Sequence, residues 1–322
     1  MVASDATKPF PELPLEISCR IMEIMLEMVP KRALELITIS RSLQLLVEQA
    51  LYHCVILKQQ RSAEAFRRAI QYPCRSSWVN TLCITSDVKF SDDLSDLHAL
   101  FSMCPNIQTM AIDSCIPSDN MVSDGNLDAL ASSGPRPTKL RYNFGWIQRH
   151  DGSHLFSLPL FQNVTHLELW DEENFDNLTE LDCLPHLTHL SLIIDPWYPL
   201  FLHLENLQQK LSLSDSILVC IIFGDVQDLD KPEKIQNACV RFSDPRIVFS
   251  FSGYAKDPKQ FGNVLWREIL NESHLVRQWG AQDDGEMDMW EEAEAIVSSP
   301  GKPFGLYRVV DTSGMTVDPS AA

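Results

Sequence analysis

A short apolar pattern recurs along most of this 322-residue chain and constrains its fold more than any other feature. In each copy, apolar residues stand at the first, fourth and sixth positions of a hexapeptide. The eight copies start at Tyr52, Val79, Ile107, Pro137, Val164, Leu187, Leu218 and Arg246, of which those at Pro137 and Arg246 match the pattern weakly. Successive starts are separated by 27, 28, 30, 27, 23, 31 and 28 residues. This period predicts stacked structural units, because one such unit cannot bury its own apolar side.

Each unit is predicted to contain one strand and a return helix or irregular turn. Helical apolar spacing precedes the strands at Ile107 and Leu187. The residues with this spacing are Leu94, Leu97, Leu100, Phe101, Leu178, Leu181 and Leu184. We therefore expect an α/β fold with a parallel sheet. A doubly wound α/β domain is the alternative, but neither a G-x-G-x-x-G turn nor a P-loop occurs among the 12 glycines.

Side chains alternate along a strand, so the third and fifth positions of each copy are expected to point away from the core. In the middle three copies these positions are polar, and the pairs are Lys139/Arg141, His166/Glu168 and His189/Ser191. Neighbouring strands lie about 4.8 Å apart, so the three pairs should form two adjacent columns. In the copy that starts at Leu218, the same positions are Cys220 and Ile222.

These six polar residues are the candidate partner-binding surface of the sheet. A solvated face with no partner is the simpler interpretation. A zinc site built from His166, His189 and Glu168 is a third, but the fixed positive charge of Lys139 in the same column would oppose a second cation. No nucleophile constellation stands out elsewhere, so we expect a non-enzymatic protein without a metal or cofactor.

The residues before the repeats are predicted to form three short amphipathic helices. Pro14 suits the first position of a helix, whose apolar face would hold Ile17, Ile21, Ile24, Met25 and Met28. A second helix is predicted over residues 33–38, and a third follows Ser40 or Ser42. Helices this short are marginal alone and must pack on something else. Because no residue pair among them suggests catalysis, docking is the first hypothesis.

The same stretch resembles an F-box, in the form joined to leucine-rich repeats that is expanded in fungi. The motifs that carry this resemblance are Leu13-Pro14-x-Glu16-Ile17, Val29-Pro30-x-x-x-Leu34, Ile39-Ser40-Arg41 and Leu51-Tyr52. The resemblance implies that residues 11–51 bind the small adaptor of a cullin-RING ubiquitin ligase, and that the rest of the chain selects a protein substrate. The residues it implies for the adaptor-binding face are Leu13, Pro14, Ile17, Val29, Pro30, Leu34 and Ser40.

Residues 52–255 would then form a degenerate leucine-rich-repeat solenoid with a concave parallel sheet. The spacing of the eight copies lies in the range of leucine-rich repeats or slightly above it. Two alternatives to ligase association stay open. The N-terminal helices could simply cap the repeat array, and the repeats could serve as an interaction scaffold with no ligase. Beyond the repeats, residues 256–298 are expected to form a helical cap, with helices over Phe261–Trp279 and Met287–Val297. Residues 1–10 and 299–322 are expected to be loose.

Charge is distributed unevenly along the chain. Residues 1–76 carry a net charge of +2, whereas the remainder holds 16 Lys and Arg against 36 Asp and Glu. Nucleic acid is a poor partner for so acidic a surface, and the acidic clusters at residues 171–182 and 283–294 are expected to be solvated. The longest uncharged apolar run, residues 217–223, is too short to span a membrane.

The N-terminus contains no signal-peptide core, so we expect a soluble protein of the cytoplasm or nucleus. The nine cysteines include no Cys-x-x-Cys pair. This distribution favours reduced thiols over a zinc site or a disulfide framework.

Overall fold

The chain forms an α/β fold built on one parallel sheet. The computed structural model describes Pro14, Ile17, Ile21, Ile24, Met25 and residues 41–85, 87–88, 95–113, 134–143, 155–171, 181–194, 207–209, 211, 216–225, 244–252, 264–267, 279 and 288–298. Within these residues, nine strands pair in parallel and lie in the sheet in chain order. They are β1 Cys54–Leu57, β2 Thr81–Ile84, β3 Thr109–Ile112, β4 Lys139–Asn143, β5 His166–Asp171, β6 His189–Ile194, β7 Val219–Asp225, β8 Ile247–Ser252 and β9 Val264–Arg267.

Helices precede or follow several of these strands. They are α1 Arg41–His53, α2 Gln60–Ala69, α3 Pro73–Trp78, α4 Ser95–Met103 and α5 Met289–Ser298, with 3-10 turns at Leu155–Ser157 and Pro159–Phe161. The α4 helix confirms the helical spacing predicted before Ile107. Its Leu97, Leu100 and Phe101 are buried. Before β6, residues 181–183 form a single 3-10 turn.

The repeat pattern predicted β1–β8 correctly, including the two weak copies. Each of these strands begins one or two residues after the start of its hexapeptide. One boundary was wrong, because Tyr52 and His53 end α1 rather than begin a strand. The helix passes into β1 with no intervening residue, since α1 ends at His53 and β1 starts at Cys54.

The ninth strand was not predicted. The helix expected over residues 261–279 is replaced at Val264–Arg267 by β9, which pairs with β8. A short apolar run does not distinguish a helix from a strand by periodicity, and β9 follows β8 at much less than the repeat spacing. Without β9, the backbone groups along the edge of β8 would lack partners in the sheet. Hydrogen bonding to this edge outweighs the local preference for a helix.

One face of the sheet, which we call the core face, holds the main apolar core. Alternate residues of β2–β6 point into it, and the buried side chains include Leu82, Met110, Leu140, Leu167 and Leu190. Phe66 of α2, Phe101 of α4 and Phe161 of the second 3-10 turn pack in the same cluster. Burial of each such side chain contributes about 1.5–3 kcal/mol of transfer free energy.

A ladder of threonine hydroxyls joins successive units at the entry to the strands. Oγ1 of Thr138 donates to the carbonyl of Gln108 (3.2 Å), and Oγ1 of Thr165 donates to the carbonyl of Thr138 (3.1 Å). Oγ1 of Thr188 lies 3.1 Å from the carbonyl oxygen of Thr165. Each threonine directly precedes its strand, so the two donated bonds align the starts of β4 and β5.

The predicted orientation of β7 was wrong by one residue. His189 of β6 pairs with Val219, so Val219 and Ile221 lie on the face opposite the core. Cys220 and Ile222, which were expected there, belong to the core cluster. The run from Val219 to Ile222 is apolar at every position and therefore does not indicate which face is buried. Strand pairing decided the register.

Candidate partner-binding site

The six polar residues predicted to form two columns do so in the structure. Lys139, His166 and His189 are register partners across β4, β5 and β6. Arg141, Glu168 and Ser191 form the adjacent column in the same way. We call this side of the sheet the α5 face. It also includes Cys83, Ala111, Val219, Ile221 and Val248.

The α5 face is covered by the chain itself. Arg141, Glu168, His189 and Ser191 were expected to face solvent or a partner, but each is at most 4% exposed. Helix α5 contacts β7 and β8, and its Met289, Trp290, Ala293 and Ile296 share an apolar cluster with residues of the sheet. The predicted helix over Met287–Val297 is confirmed from Met289 onward and extends to Ser298, whereas Met287 lies outside the described residues. The helix was expected to cap the end of the repeats, but it packs on this face of the sheet and reaches strands from β4 to β8.

Two acidic residues of α5 and its N-terminus bind the first column of the sheet. Lys139 Nζ lies 3.0 Å from Asp288 Oδ2, and His189 Nε2 lies 2.8 Å from Glu294 Oε1. The prediction that residues 283–294 are solvated does not hold for the half-buried Asp288, whereas the Glu294 side chain is 53% exposed and thus solvated even though it contacts His189. The missed signal was an Asp-x-x-Glu pattern ahead of the apolar residues, which is typical of a helix N-terminus.

That pattern forms a reciprocal capping box. Asp288 Oδ1 accepts hydrogen bonds from the backbone N–H groups of Trp290 and Glu291, both at 2.9 Å, and Glu291 Oε2 accepts one from the Asp288 N–H at 3.1 Å. Burial raises the pKa of Asp288, but the Glu291 N–H and the Lys139 ammonium outweigh burial and hold that pKa below its ordinary value. The carboxylate therefore stays ionised where α5 begins.

The two histidines form a stacked pair beneath an indole. The rings of His166 and His189 lie 4.1 Å apart and nearly parallel, and both meet Trp290 edge-on at 5.3 and 5.8 Å. Burial, then His189 and Lys139, lower the pKa of His166 to about 4. Burial also lowers the pKa of His189, although Glu294 opposes this shift. Both rings are therefore neutral at pH 7, which permits close stacking.

The second column contains a buried ion pair. Arg141 Nη1 lies 2.5 Å from Glu168 Oε1, and the two side chains are 5% and 3% exposed. Asp113, just after β3, lies 3.7 Å from Arg141 Nη2. Burial raises the pKa of Asp113 above its ordinary value, although Arg141 opposes this shift. The charge of the second column is thus neutralised within the sheet.

The zinc hypothesis gains no geometric support here. Among the described residues, no three His, Cys, Asp or Glu side chains are grouped so that they could hold a metal ion. The Nδ1 atoms of His166 and His189 lie 2.8 Å from the hydroxyls of Thr165 and Thr188. Ligation through Nδ1 would break these hydrogen bonds, and ligation through His189 Nε2 would break its contact with Glu294 Oε1.

A second candidate surface lies on the N-terminal helices. Ile17, Ile24 and Met25 have helical backbone and are 48%, 42% and 41% exposed, and Pro14 is exposed as well. Ile21 is half-buried. The other predicted adaptor-binding residues, Leu13, Val29, Pro30, Leu34 and Ser40, lie outside the described residues.

The segment α1 is fixed to the first units of the sheet. Glu48 accepts hydrogen bonds from Arg75 of α3 at 3.1 and 3.2 Å, and the guanidinium of Arg75 lies 5.6 Å from the centre of the Tyr52 ring. The ring of Tyr52 stacks on that of Phe66 at 6.3 Å. These contacts set the direction of α1 relative to β1.

None of the six cysteines in the described part of the chain belongs to a disulfide bond. Burial raises the pKa values of Cys104 and Cys220 to about 12, so both thiols stay protonated. No helix within the described ranges has the length and apolar character needed to cross a membrane. Comparison of the chain with models of known protein families and with the curated proteins finds no match.

Proposed function

We propose that this protein is a non-enzymatic substrate-recognition subunit of an F-box type ubiquitin ligase, with F-box-like N-terminal helices and degenerate leucine-rich repeats. Exposed apolar side chains on the N-terminal helices carry the proposal. Ile17, Ile24 and Met25 are each more than 40% exposed. Ile24 and Met25 follow Ile17 by seven and eight positions, a spacing that puts all three on one face of a helix, as predicted from the sequence. Such a cluster on a small helical module suits helix-mediated docking to another protein.

The junction between the helices and the sheet supports the same function. A receptor must hold its substrate at a set position relative to the ligase. The direct passage from α1 to β1, with the Glu48–Arg75 ion pair beside it, provides a fixed connection at this point. The sheet and its α5 face would form the substrate-binding half, and no cofactor or catalytic residue is needed.

Co-purification with the adaptor subunit tests this proposal. Ile17→Asp and Ile24→Asp place charges on the exposed apolar face and should each reduce adaptor binding at least about tenfold, since burying an unpaired charge is costly. Leu218→Asp is the matched control, because Leu218 is an equally exposed apolar residue before β7. It should leave adaptor binding unchanged.

Absence of adaptor binding by the wild-type chain, beside an F-box protein that binds under the same conditions, would overturn ligase association. The alternative function, a repeat scaffold that binds a partner without a ligase, would then be favoured. Equal loss of binding in the Leu218→Asp variant would instead show that the apolar face of the N-terminal helices is not the docking site.

A further inference from the structure

Helix α5 contacts the sheet through an apolar face and two flanking carboxylates. Its apolar residues, Met289, Trp290, Ala293 and Ile296, are buried against the α5 face. The carboxylates of Asp288 and Glu294 flank Trp290 and bind Lys139 and His189 of the sheet. The described return segments pack on the core face, whereas the buried residues of α5 lie on the opposite face, so α5 does not take the place of a return helix.

The α5 face is chemically matched to this helix. Its first column offers a cationic side chain at Lys139 and a hydrogen-bonding imidazole at His189, 50 residues apart in sequence and two strands apart in the sheet. Val219, Ile221 and Val248 extend the face as an apolar surface on β7 and β8. Charge and apolar character therefore change along the face in the same order as along α5.

The main core does not depend on this helix. The buried residues of the core face and those of the α5 face form two separate apolar clusters, and all buried α5 residues belong to the second. Undocking of α5 would thus expose the part of the second cluster that it contacts on β7 and β8 and leave the first cluster intact. Local opening of this kind is expected where an element rests on a small cluster of its own.

We propose that the α5 face is a helix-binding site, and that a substrate protein occupies it with an acidic amphipathic helix that displaces α5. This inference rests on the proposed function, since it assigns the substrate half of the receptor. The partner helix is expected to carry its side chains in the same order as α5. Counted from a first carboxylate, an aromatic residue follows after two positions, a small residue after five, a second carboxylate after six and an aliphatic residue after eight.

Displacement has a quantitative consequence. A helix in trans binds only the fraction of molecules whose face is free, and its apparent affinity falls by that fraction. A tethered helix competes at an effective concentration of roughly millimolar. If α5 is docked about 99% of the time, a partner helix binds about 100-fold more weakly than it would to a vacant face. Weakening α5 in cis should therefore strengthen binding in trans.

A peptide of residues 286–298, labelled with a fluorophore, serves as the probe. Its binding to the full-length chain is measured by fluorescence anisotropy. The Trp290→Ala chain should bind this wild-type peptide at least about tenfold more tightly than the wild-type chain does, because its own helix has lost the central aromatic contact. A Ser298→Ala chain, altered at an exposed α5 position, should behave as wild type.

Two further variants tie the peptide to the face. Lys139→Met in the Trp290→Ala chain should weaken peptide binding several-fold, and a peptide with Trp290→Ala should bind neither chain. Should the Trp290→Ala chain fail to fold, the Asp288→Asn/Glu294→Gln chain replaces it, since these changes keep the apolar contacts. It should also bind the peptide more tightly than wild type does.

Equal peptide affinity of the wild-type and α5-weakened chains, or binding insensitive to Lys139→Met, would overturn the inference. Adaptor binding through the N-terminal helices is measured separately on the same variants. Loss of peptide binding with retained adaptor binding removes only the helix-binding site. Retained peptide binding without adaptor binding removes only the ligase and leaves a helix-binding scaffold.

Discussion

The two faces of this sheet are buried by different means. On the core face, return segments that the structure describes, among them α2, α4 and the second 3-10 turn, pack against the strands that lie near them in the chain. The α5 face is covered by a segment distant in sequence, since Asp288 follows Lys139 by 149 positions and Glu294 follows His189 by 105. The core face holds the main apolar cluster, whereas the α5 face includes a buried ion pair and two neutral histidines. Local repetition thus builds one face, and long-range complementarity completes the other.

Removing one member of the buried ion pair should have the largest effect on stability. Arg141→Met leaves the Glu168 carboxylate buried without this guanidinium and is expected to cost about 3–5 kcal/mol of unfolding free energy. The Arg141→Met/Glu168→Leu double variant should recover at least half of that loss. Urea unfolding measures both, and a double variant no more stable than Arg141→Met would contradict the assignment of this pair as the cause.

Truncation on the core face should rank next. Leu167→Ala removes a fully buried side chain of β5 and leaves a cavity, which is expected to cost about 2–5 kcal/mol. The matched control is Leu45→Ala on α1, where the side chain is 51% exposed and the expected change is within about 0.5 kcal/mol. A comparable loss at Leu45 would mean that the N-terminal helices pack more tightly than their exposure indicates.

Acid should destabilise the α5 face before the core face. The pKa of His166 is lowered from 6.5 to about 4 in the folded chain, so the unfolded chain binds more protons between these values. Stability from the neutral ring is complete above about pH 6.5 and is lost as the pH falls towards 4. The groups facing this ring are His189, Lys139, Asp288 and Trp290.

Because the His166 ring is only partly buried, we expect a loss of about 1–2 kcal/mol over this range. His166→Gln, which does not titrate, should show a shallower dependence of stability on pH than wild type. Thermal unfolding between pH 4 and 7 provides the measurement. Identical pH profiles for the two proteins would show that the α5 face does not lower the pKa of His166.

The capping box of α5 should contribute a smaller amount. Asp288→Ala removes two hydrogen bonds to backbone N–H groups and the contact with Lys139, and should cost about 1–2 kcal/mol. Lys139→Met removes only the partly exposed ion pair and should cost at most about 1 kcal/mol. Denaturant unfolding of both variants tests this ranking. A larger effect at Lys139 than at Asp288 would reverse the assignment of the cap as the main role of Asp288.

Particular elements show how far the sequence could be interpreted. Strands β1–β8 and the two polar columns followed from the repeat, because period and alternation are local properties of the chain. The helix containing Trp290, Ala293 and Ile296 was also predicted correctly. Strand β9 and the orientation of β7 were not, since uniformly apolar runs such as Val219–Ile222 fit either face or either element.

The sequence by itself determined the repeating α/β units, the parallel order of β1–β8 and the polar columns from Lys139 to Ser191. Tertiary structure alone decided that α5 packs against the column of Lys139, His166 and His189, that Asp288 and Glu294 meet Lys139 and His189, and that β9 extends the sheet. The physical reason is one of range. Strand and helix periodicity are set by neighbouring residues, whereas the docking of α5 depends on complementary charge and apolar surface formed only when residues more than 100 positions apart come together.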